Sequence, residues 1–272
     1  MTTKLRLTKH HGLGNDFLIA LERHNPGFVP TPALARALCG RHRGVGADGL
    51  VVGGLPTTEG ADLTMTLLNA DGSVAEISGN GIRCLGQAAL RAQGRREGTI
   101  VIDAASGRRT LVATAGPDVA TDLLSVEMGA IGPGPALAPL ATARDALHRG
   151  TGDVGNPHLV LHLDSLDGVD AATEGPLLEA EVPGGVNVHF LAVTGPDSIE
   201  LIHWERGAGI TEACGSGATV SATLAHRWGL VGDRVRVQMP GGAATVEVGP
   251  LATLIGEAVH IADIDYELLE SY

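Results

Sequence analysis

The residues best suited to chemistry in this chain fall in two short loops of one design. One is Thr211-Glu212-Ala213-Cys214-Gly215-Ser216-Gly217, and the other is Ala75-Glu76-Ile77-Ser78-Gly79-Asn80-Gly81. Each reads Glu-x-[Cys/Ser]-Gly-[Ser/Asn]-Gly and runs into an apolar, helix-like segment, and the two stand half a chain apart. A Gly-rich loop that opens a helix presents backbone N–H groups without partners inside the helix, backed by the positive end of the helix dipole. A carboxylate can approach such a backbone closely. A cysteine there is expected to have a depressed pKa and to accept a proton. Two such loops would hold a carboxylate and set residues 78 and 214 on either side of the carbon that carries it. The chemistry that follows is removal of a proton from one face of a carbon and its return to the other. Read singly, each loop is a Gly-rich turn beside a small side chain; the pairing carries the functional reading.

The elements that must position these loops also come in pairs. Gly14-Asn15-Asp16-Phe17 is echoed by Gly155-Asn156-Pro157-His158, and Asn69-Ala70-Asp71-Gly72 precedes the first loop as Glu205-Arg206-Gly207 precedes the second. Three matches in the same order imply an internal duplication. Alternation of apolar and polar residues predicts strands over 17–21, 62–68, 99–103, 109–113 and 123–128, and in the second half over 159–162, 186–190, 199–204, 235–238, 244–248 and 260–264. Thr31 followed by Pro32 reads as an N-cap and first helical residue of a helix to about Cys39. Residues 82–93 and 218–230 are apolar around most of the helical circumference, the mark of a buried helix. The expected fold is mixed α/β (α+β): two similar pseudo-symmetric domains, each a mostly antiparallel strand barrel around a central helix. The first domain spans 1–120, with a last strand over 262–272 returning to it, and the second spans 121–261; the Pro/Gly-rich stretch 129–139 lies near the crossover.

Composition excludes several function classes. With 272 residues and 44% hydrophobic content the chain can build two cores, and a formal net charge of −12 argues against nucleic acid and against an anionic membrane surface. No apolar run reaches about 18 residues, and the opening Met-Thr-Thr-Lys-Leu-Arg has no apolar signal core. Three cysteines without a C-x-x-C pair suggest a reducing, cytoplasmic setting. The only lysines are Lys4 and Lys9, in a strand-like opening ill suited to a Schiff base, so cofactor-independent chemistry is expected and no cofactor is assigned. Gly44-Val45-Gly46-Ala47-Asp48-Gly49 matches G-x-G-x-x-G but follows a helix and precedes a strand, the reverse of a dinucleotide site. His158 and His162 are four apart in a strand-like run, which is not metal-ligand spacing, and no metal is expected.

These motifs, taken in order, resemble the diaminopimelate epimerase family. The resemblance rests on His11-Gly12-Leu13-Gly14-Asn15-Asp16-Phe17, Gly44-Val45-Gly46-Ala47-Asp48, Asn69-Ala70-Asp71-Gly72-Ser73, Gly79-Asn80-Gly81-Ile82-Arg83-Cys84, Gly155-Asn156-Pro157-His158, Gly185-Val186-Asn187-Val188 and Glu205-Arg206-Gly207-Ala208-Gly209, with Ala213-Cys214-Gly215-Ser216-Gly217. It implies a site in a cleft between two similar domains, and interconversion of LL- and meso-diaminopimelate by two cysteines acting on opposite faces of the α-carbon. Carried over position by position, it implies that Asn15, Asn69, Asn156, Asn187 and Arg206 bind substrate. Gly79, Asn80, Gly215 and Ser216 would hold the reacting carboxylate and amino group, while His158 and Glu205 tune the proton-transferring pair. The partner is then a small amino-acid substrate, and the expected assembly is a homodimer.

Two positions depart from the family pattern. Gly49 stands where the family often has a substrate-facing Gln, and Ser78 stands where it has its first catalytic Cys. A thiol titrates at about 8.5, whereas a serine hydroxyl needs a neighbouring base to act. Cys84 cannot substitute, being six residues along the helix, about 9 Å away. The leading reading is an epimerase with Cys214 as its thiol and Ser78 as a weaker partner. The alternatives are a one-thiol enzyme on another amino acid, either epimerase or β-eliminating dehydratase, and a catalytically silent amino-acid-binding paralogue.

Overall fold

The computed structural model describes residues 4–75, 78–141 and 144–268; Glu76 and Ile77 of the first loop, and residues 269–272 of the expected last strand, lie outside the described residues. The chain forms two compact units, Met1–Val126 with Gly256–Tyr272, and Glu127–Ile255. Among the described residues no helix is long and apolar enough to cross a membrane.

In the first unit the strands are β1 (Lys4–Gly12), β2 (Asn15–Leu21), β3 (Gly49–Gly54), β4 (Leu63–Asn69), β5 (Gly98–Ala104), β6 (Gly107–Ala115) and β7 (Thr121–Gly129), with helices α1 (Pro32–Cys39) and α2 (Gly79–Arg91). The strands run in order from β1 to β7, and β15 (Ala252–Glu267), last in the chain, pairs with β1, so the sheet closes on itself. Among the described residues this pairs both edges of β1, with β2 and with β15, so β1 has no free edge to recruit another strand. Along β1 the alternation is plain: Leu5 and Leu7 are buried while Lys4 and Arg6 are exposed. Thr31 caps α1 by accepting from Leu34 N at 3.1 Å, and Pro32 fixes the first helical φ. The buried face of α1, with Leu34, Ala35, Leu38 and Cys39, packs on Leu5, Leu7, Leu18, Ala20, Leu50 and Val52. Each buried leucine there is worth about 1.5–3 kcal/mol, so packing rather than propensity holds so short a helix. Inside the barrel α2 packs on β1 to β6 and is buried from Gly79 to Leu90. Gly86 sits mid-helix because a Cβ there would lie 2.8 Å from Leu111 Cδ2 on the wall.

The second unit contains β8 (Gly132–Pro133), β9 (His148–Asp153), β10 (Pro157–His162), β11 (Asn187–Gly195), β12 (Ser198–Trp204), β13 (Arg234–Met239), β14 (Gly242–Glu247) and the start of β15, with helices α3 (Ala171–Glu181) and α4 (Gly215–Arg227). Its strand order is β15-β14-β13-β12-β11-β10-β9-β8. The helix α4 packs on β9 to β14 and is buried from Gly215 to Ala225. On the other face of the sheet α3 packs its Ala171 and Leu178 against Leu159, Leu161, Val188, Phe190, Ile202 and Trp204. The period of two then turns His158, His189 and His203 to the α4 face.

Beyond the two-residue β8, three elements differ from the sequence expectation. The helix α3 is absent from it, since Gly175 and Pro176 interrupt the helical pattern. Gly175 is there because a Cβ would lie 2.3 Å from Trp204 Cβ. The strand β9 is also unexpected: Gly150 and Gly152 erase its alternation, yet Gly152 is needed because a Cβ would meet Val220 Cγ1 of α4 at 2.7 Å. Finally, the strand expected over 260–264 is part of the 16-residue β15, which pairs with β14 through Thr253–Ile255 and with β1 through Val259–Glu267.

Candidate active site

Each unit brings one of the two Gly-rich loops to the start of its central helix, with the same cap geometry. Ser78 is the N-cap of α2, at φ −146° and ψ 112°, and its Oγ accepts from Gly81 N at 3.0 Å. Cys214 is the N-cap of α4, at φ −118° and ψ 103°, and its Sγ accepts from Gly217 N at 3.4 Å. Residues 78 and 214 are thus both held by the third N–H of a buried helix. Ser78 opens onto a cavity of about 150 Å³ lined by Met65, Leu67, Val74 and Ile82.

Around Ser78 a chain of amides runs inward from the β1–β2 turn. Arg83 Nη2 donates to Asn80 Oδ1 at 2.7 Å, Asn80 Nδ2 to Asn15 Oδ1 at 3.1 Å, and Asn15 Nδ2 to Asp48 Oδ2 at 2.8 Å. Arg41 and Lys9 then close on Asp16 at 2.8 and 2.9 Å, and Arg41 on Asp48 at 2.6 Å. Burial raises the Asp16 carboxyl, but hydrogen bonds from Arg41 and Lys9 outweigh it and leave it below the usual range. Arg83, which the sequence reading did not single out, is fully buried with Nε and Nη1 unpartnered, and burial pushes it down to about 10. Its room comes from glycine: a Cβ on Gly12 or Gly256 would lie 3.2 or 3.1 Å from the guanidinium. Asn69 is not tied into this chain by a hydrogen bond; its Nδ2 donates to Ser73 Oγ at 3.0 Å within its own turn. Gly49 is buried in β3, and a Cβ there would stand 2.9 Å from the Leu68 carbonyl oxygen, so no longer side chain fits this backbone.

Around Cys214 the second unit gathers Glu205, Ser216, Arg206, Asn187, Asn156 and His158. The Glu205 carboxylate accepts from Thr211 Oγ1, and Ser216 Oγ lies 3.6 Å from Cys214 Sγ. Asn187 Oδ1 accepts from Arg206 N at 3.0 Å and its Nδ2 donates to the Pro157 carbonyl at 2.9 Å, which ties β11 to both flanking segments. Arg206 Nη1 donates to the Gly184 carbonyl at 3.0 Å, and Gly185, at φ +72°, leaves room for the arginine stem. His158 is fully buried and engaged on both sides, by His189 Nε2 at 2.8 Å and Asn156 Oδ1 at 2.8 Å.

The thiol corrects one expectation. Burial pushes Cys214 well above its ordinary value, and the charge of Glu205 adds to the rise; Ser216 and the Gly217 N–H offset only part of it. The helix N-terminus is present, but desolvation outweighs it, so Cys214 rests as a protonated thiol with a carboxylate beside it. Burial likewise pushes Cys84 and Cys39 up to about 12, and both are core residues. His162 stacks against His148 and Trp228 rather than joining His158, and among the described residues no group of three or more His, Cys, Asp or Glu is placed to hold a metal ion.

The fold, two units each with a buried helix against its strands, is that of the proline racemase- and epimerase-type proteins. The structure resembles a predicted epimerase from Pseudomonas aeruginosa, with a TM-score of 0.75 at 16% identity over 98% of this chain and 100% of that one. It also resembles a hydroxyproline epimerase from Agrobacterium vitis, with a TM-score of 0.72 at 16% identity over 98% and 94%. In sequence, the diaminopimelate epimerase profile matches residues 7–130 and 151–261. The diaminopimelate epimerase of Synechocystis sp. is 36% identical over 89% of this chain and 91% of its own length, and that of Rhodospirillum centenum is 37% identical over 91% and 90%. The chain belongs to the diaminopimelate epimerase family and is an isomerase of the kind that works without pyridoxal phosphate.

Proposed function

We propose that this protein interconverts LL- and meso-diaminopimelate, with Cys214 moving the proton at one face of the α-carbon and Ser78 serving the opposite face. The observation that carries this reading is the matched cap: Ser78 Oγ and Cys214 Sγ each take the third N–H of a buried helix, at 3.0 and 3.4 Å. The first-turn N–H groups of each helix are anion-binding donors of the kind a substrate carboxylate needs. Because Cys214 rests protonated beside Glu205, it acts as an acid toward a carbanion, and as a base once its proton passes to that carboxylate. Asn15, Asn80, Asn156 and Asn187 offer neutral amides to an ammonium–carboxylate substrate. Arg206 carries the charge for a second, distant carboxylate.

Proton NMR of LL- and, separately, meso-diaminopimelate in D2O tests this reading. Loss of the α-proton signal with appearance of the other stereoisomer is expected, and Cys214→Ala should abolish both. Retained exchange in Cys214→Ala would sink the assignment. A second reading rests on Ser78 in place of a thiol. Exchange from one isomer without inversion would mean Cys214 works alone, on another amino acid or in a β-elimination.

A further inference from the structure

Beneath the first turn of α4 lies a row of three imidazoles that the reaction as stated does not use in full. His158, His189 and His203 come from the neighbouring strands β10, β11 and β12, are 0, 0 and 2% exposed, and have ring centroids 5.0 and 6.0 Å apart along the row. His189 faces His203 directly in the β11–β12 register. His189 also abuts the helix turn that holds Cys214, since a Cβ on Gly217 would lie 2.0 Å from its Cε1.

The hydrogen bonds fix the tautomers. Thr211 has a single hydroxyl hydrogen and gives it to Glu205, so at 2.9 Å it accepts the Nε2–H of His203. A neutral imidazole that donates at Nε2 has a bare lone pair at Nδ1, and His203 Nδ1 is buried without a partner. At the other end Asn156 Oδ1 accepts from His158 Nε2, so His158 Nδ1 accepts from His189 Nε2–H at 2.8 Å, and His189 Nδ1 is again buried and bare. Burial, the largest cause in each case, pushes His158 to about 3 and His203 to about 4, and His189 well below its ordinary value, so all three are neutral. Two buried acceptors without donors are a standing cost that apolar side chains would avoid. A row that costs stability and ends on Glu205 and His158 points to a role in the reaction.

We propose that His203 and His189 are positioning residues for proton transfer: His203, through Thr211, pins the Glu205 carboxylate as the acceptor beside the Cys214 thiol, and His189 fixes His158 as an Nε2–H donor toward Asn156. This deepens, and rests on, the assignment of Cys214 and Glu205 to the α-proton. The titratable and charged groups facing the row are Glu205 and Cys214 at the α4 end, and Arg206, whose charge reaches His158.

The test uses the full-length protein and three variants: His203→Val, His203→Gln and Thr211→Val. The first readout is the 15N spectrum of histidine-labelled wild type, where His158, His189 and His203 are expected as Nε2–H tautomers at neutral pH. The second is the pH profile of Cys214 alkylation by iodoacetamide, followed by peptide mass mapping to separate Cys39 and Cys84. Freeing Glu205 from its clamp weakens its hold on the thiol, so His203→Val and Thr211→Val should shift the profile to lower pH by about one unit. His203→Gln, which keeps a donor toward Thr211, should restore it. In turnover, His203→Val should lower kcat by about tenfold with KM unchanged. An Nδ1–H tautomer at His203, or alkylation profiles of His203→Val and Thr211→Val that match wild type, would overturn the proposal. If wild type fails to exchange the α-proton of diaminopimelate, the function reading fails, while the tautomer and alkylation readouts still decide the positioning role.

Discussion

Replacing a thiol by an alcohol at residue 78 changes the acid and leaves the cap intact. Ser78 holds Gly81 N at 3.0 Å as Cys214 holds Gly217 N at 3.4 Å, and serine is among the better N-cap residues. What is lost is a group that ionises near neutrality. Neither remaining thiol of the first unit can supply it, since burial pushes Cys84 and Cys39 up to about 12. Ser78→Cys is therefore expected to raise the epimerisation rate by about tenfold or more without loss of stability, read by NMR of the two stereoisomers. An unchanged rate would show that transfer at residue 78 does not limit turnover. At this scale the two helix caps were legible in the sequence, because each loop carries its helix start in contiguous residues. The thiol's rise, the buried Arg83 and the histidine row were not. Each depends on which side chains other strands bring close: His189 and His203 read as ordinary alternation within two strands until their register aligns them. Four histidines at inward strand positions, 158, 162, 189 and 203, were the available signal.

Elements were legible where local chemistry and packing agree. Thr31-Pro32 marked α1, and the apolar circumference of α2 and α4 marked two buried helices. Sequence reasoning failed at α3 and β9, where glycine serves a neighbouring element rather than its own: Gly175 clears Trp204 and Gly152 clears Val220. The same logic applies to Gly217 in α4. Alanine has the better helix propensity by about 1 kcal/mol, yet its Cβ would lie 2.0 Å from Cε1 of the fully buried His189 ring, so one of them must shift. Overpacking wins: Gly217→Ala should destabilise the protein by about 1–3 kcal/mol and disturb the His189–His158 bond. Urea unfolding with the 15N spectrum checks both effects. Unchanged stability with intact histidine signals would mean the turn relaxes freely.

For the molecule as a whole, the buried histidines make stability fall on acidification. Unfolded, each titrates at about 6.5; folded, burial lowers His10 and His158 to about 3, His203 to about 4, and His189 well below its ordinary value. The unfolded chain therefore binds more protons below pH 6.5, and the folded state, which keeps these rings neutral, loses stability as pH falls toward their folded values. Each neutral ring makes the loss steeper by about 1.4 kcal/mol per pH unit in that window. The urea midpoint should fall steadily from pH 7 to pH 5; a flat midpoint would mean the rings are not held neutral. The course of β15 has a consequence of another kind, for the chain as it is made. Translation delivers residues in order at about 5–20 per second, so Met1–Val126 leaves the ribosome with its barrel still open. The segment from Gly256 onward that closes it against β1 follows only after all of Glu127–Ile255. The second unit has nearly all its strands before the first has its last one, so the half of the protein made first is the half that must wait, its β1 edge unpaired, to be finished.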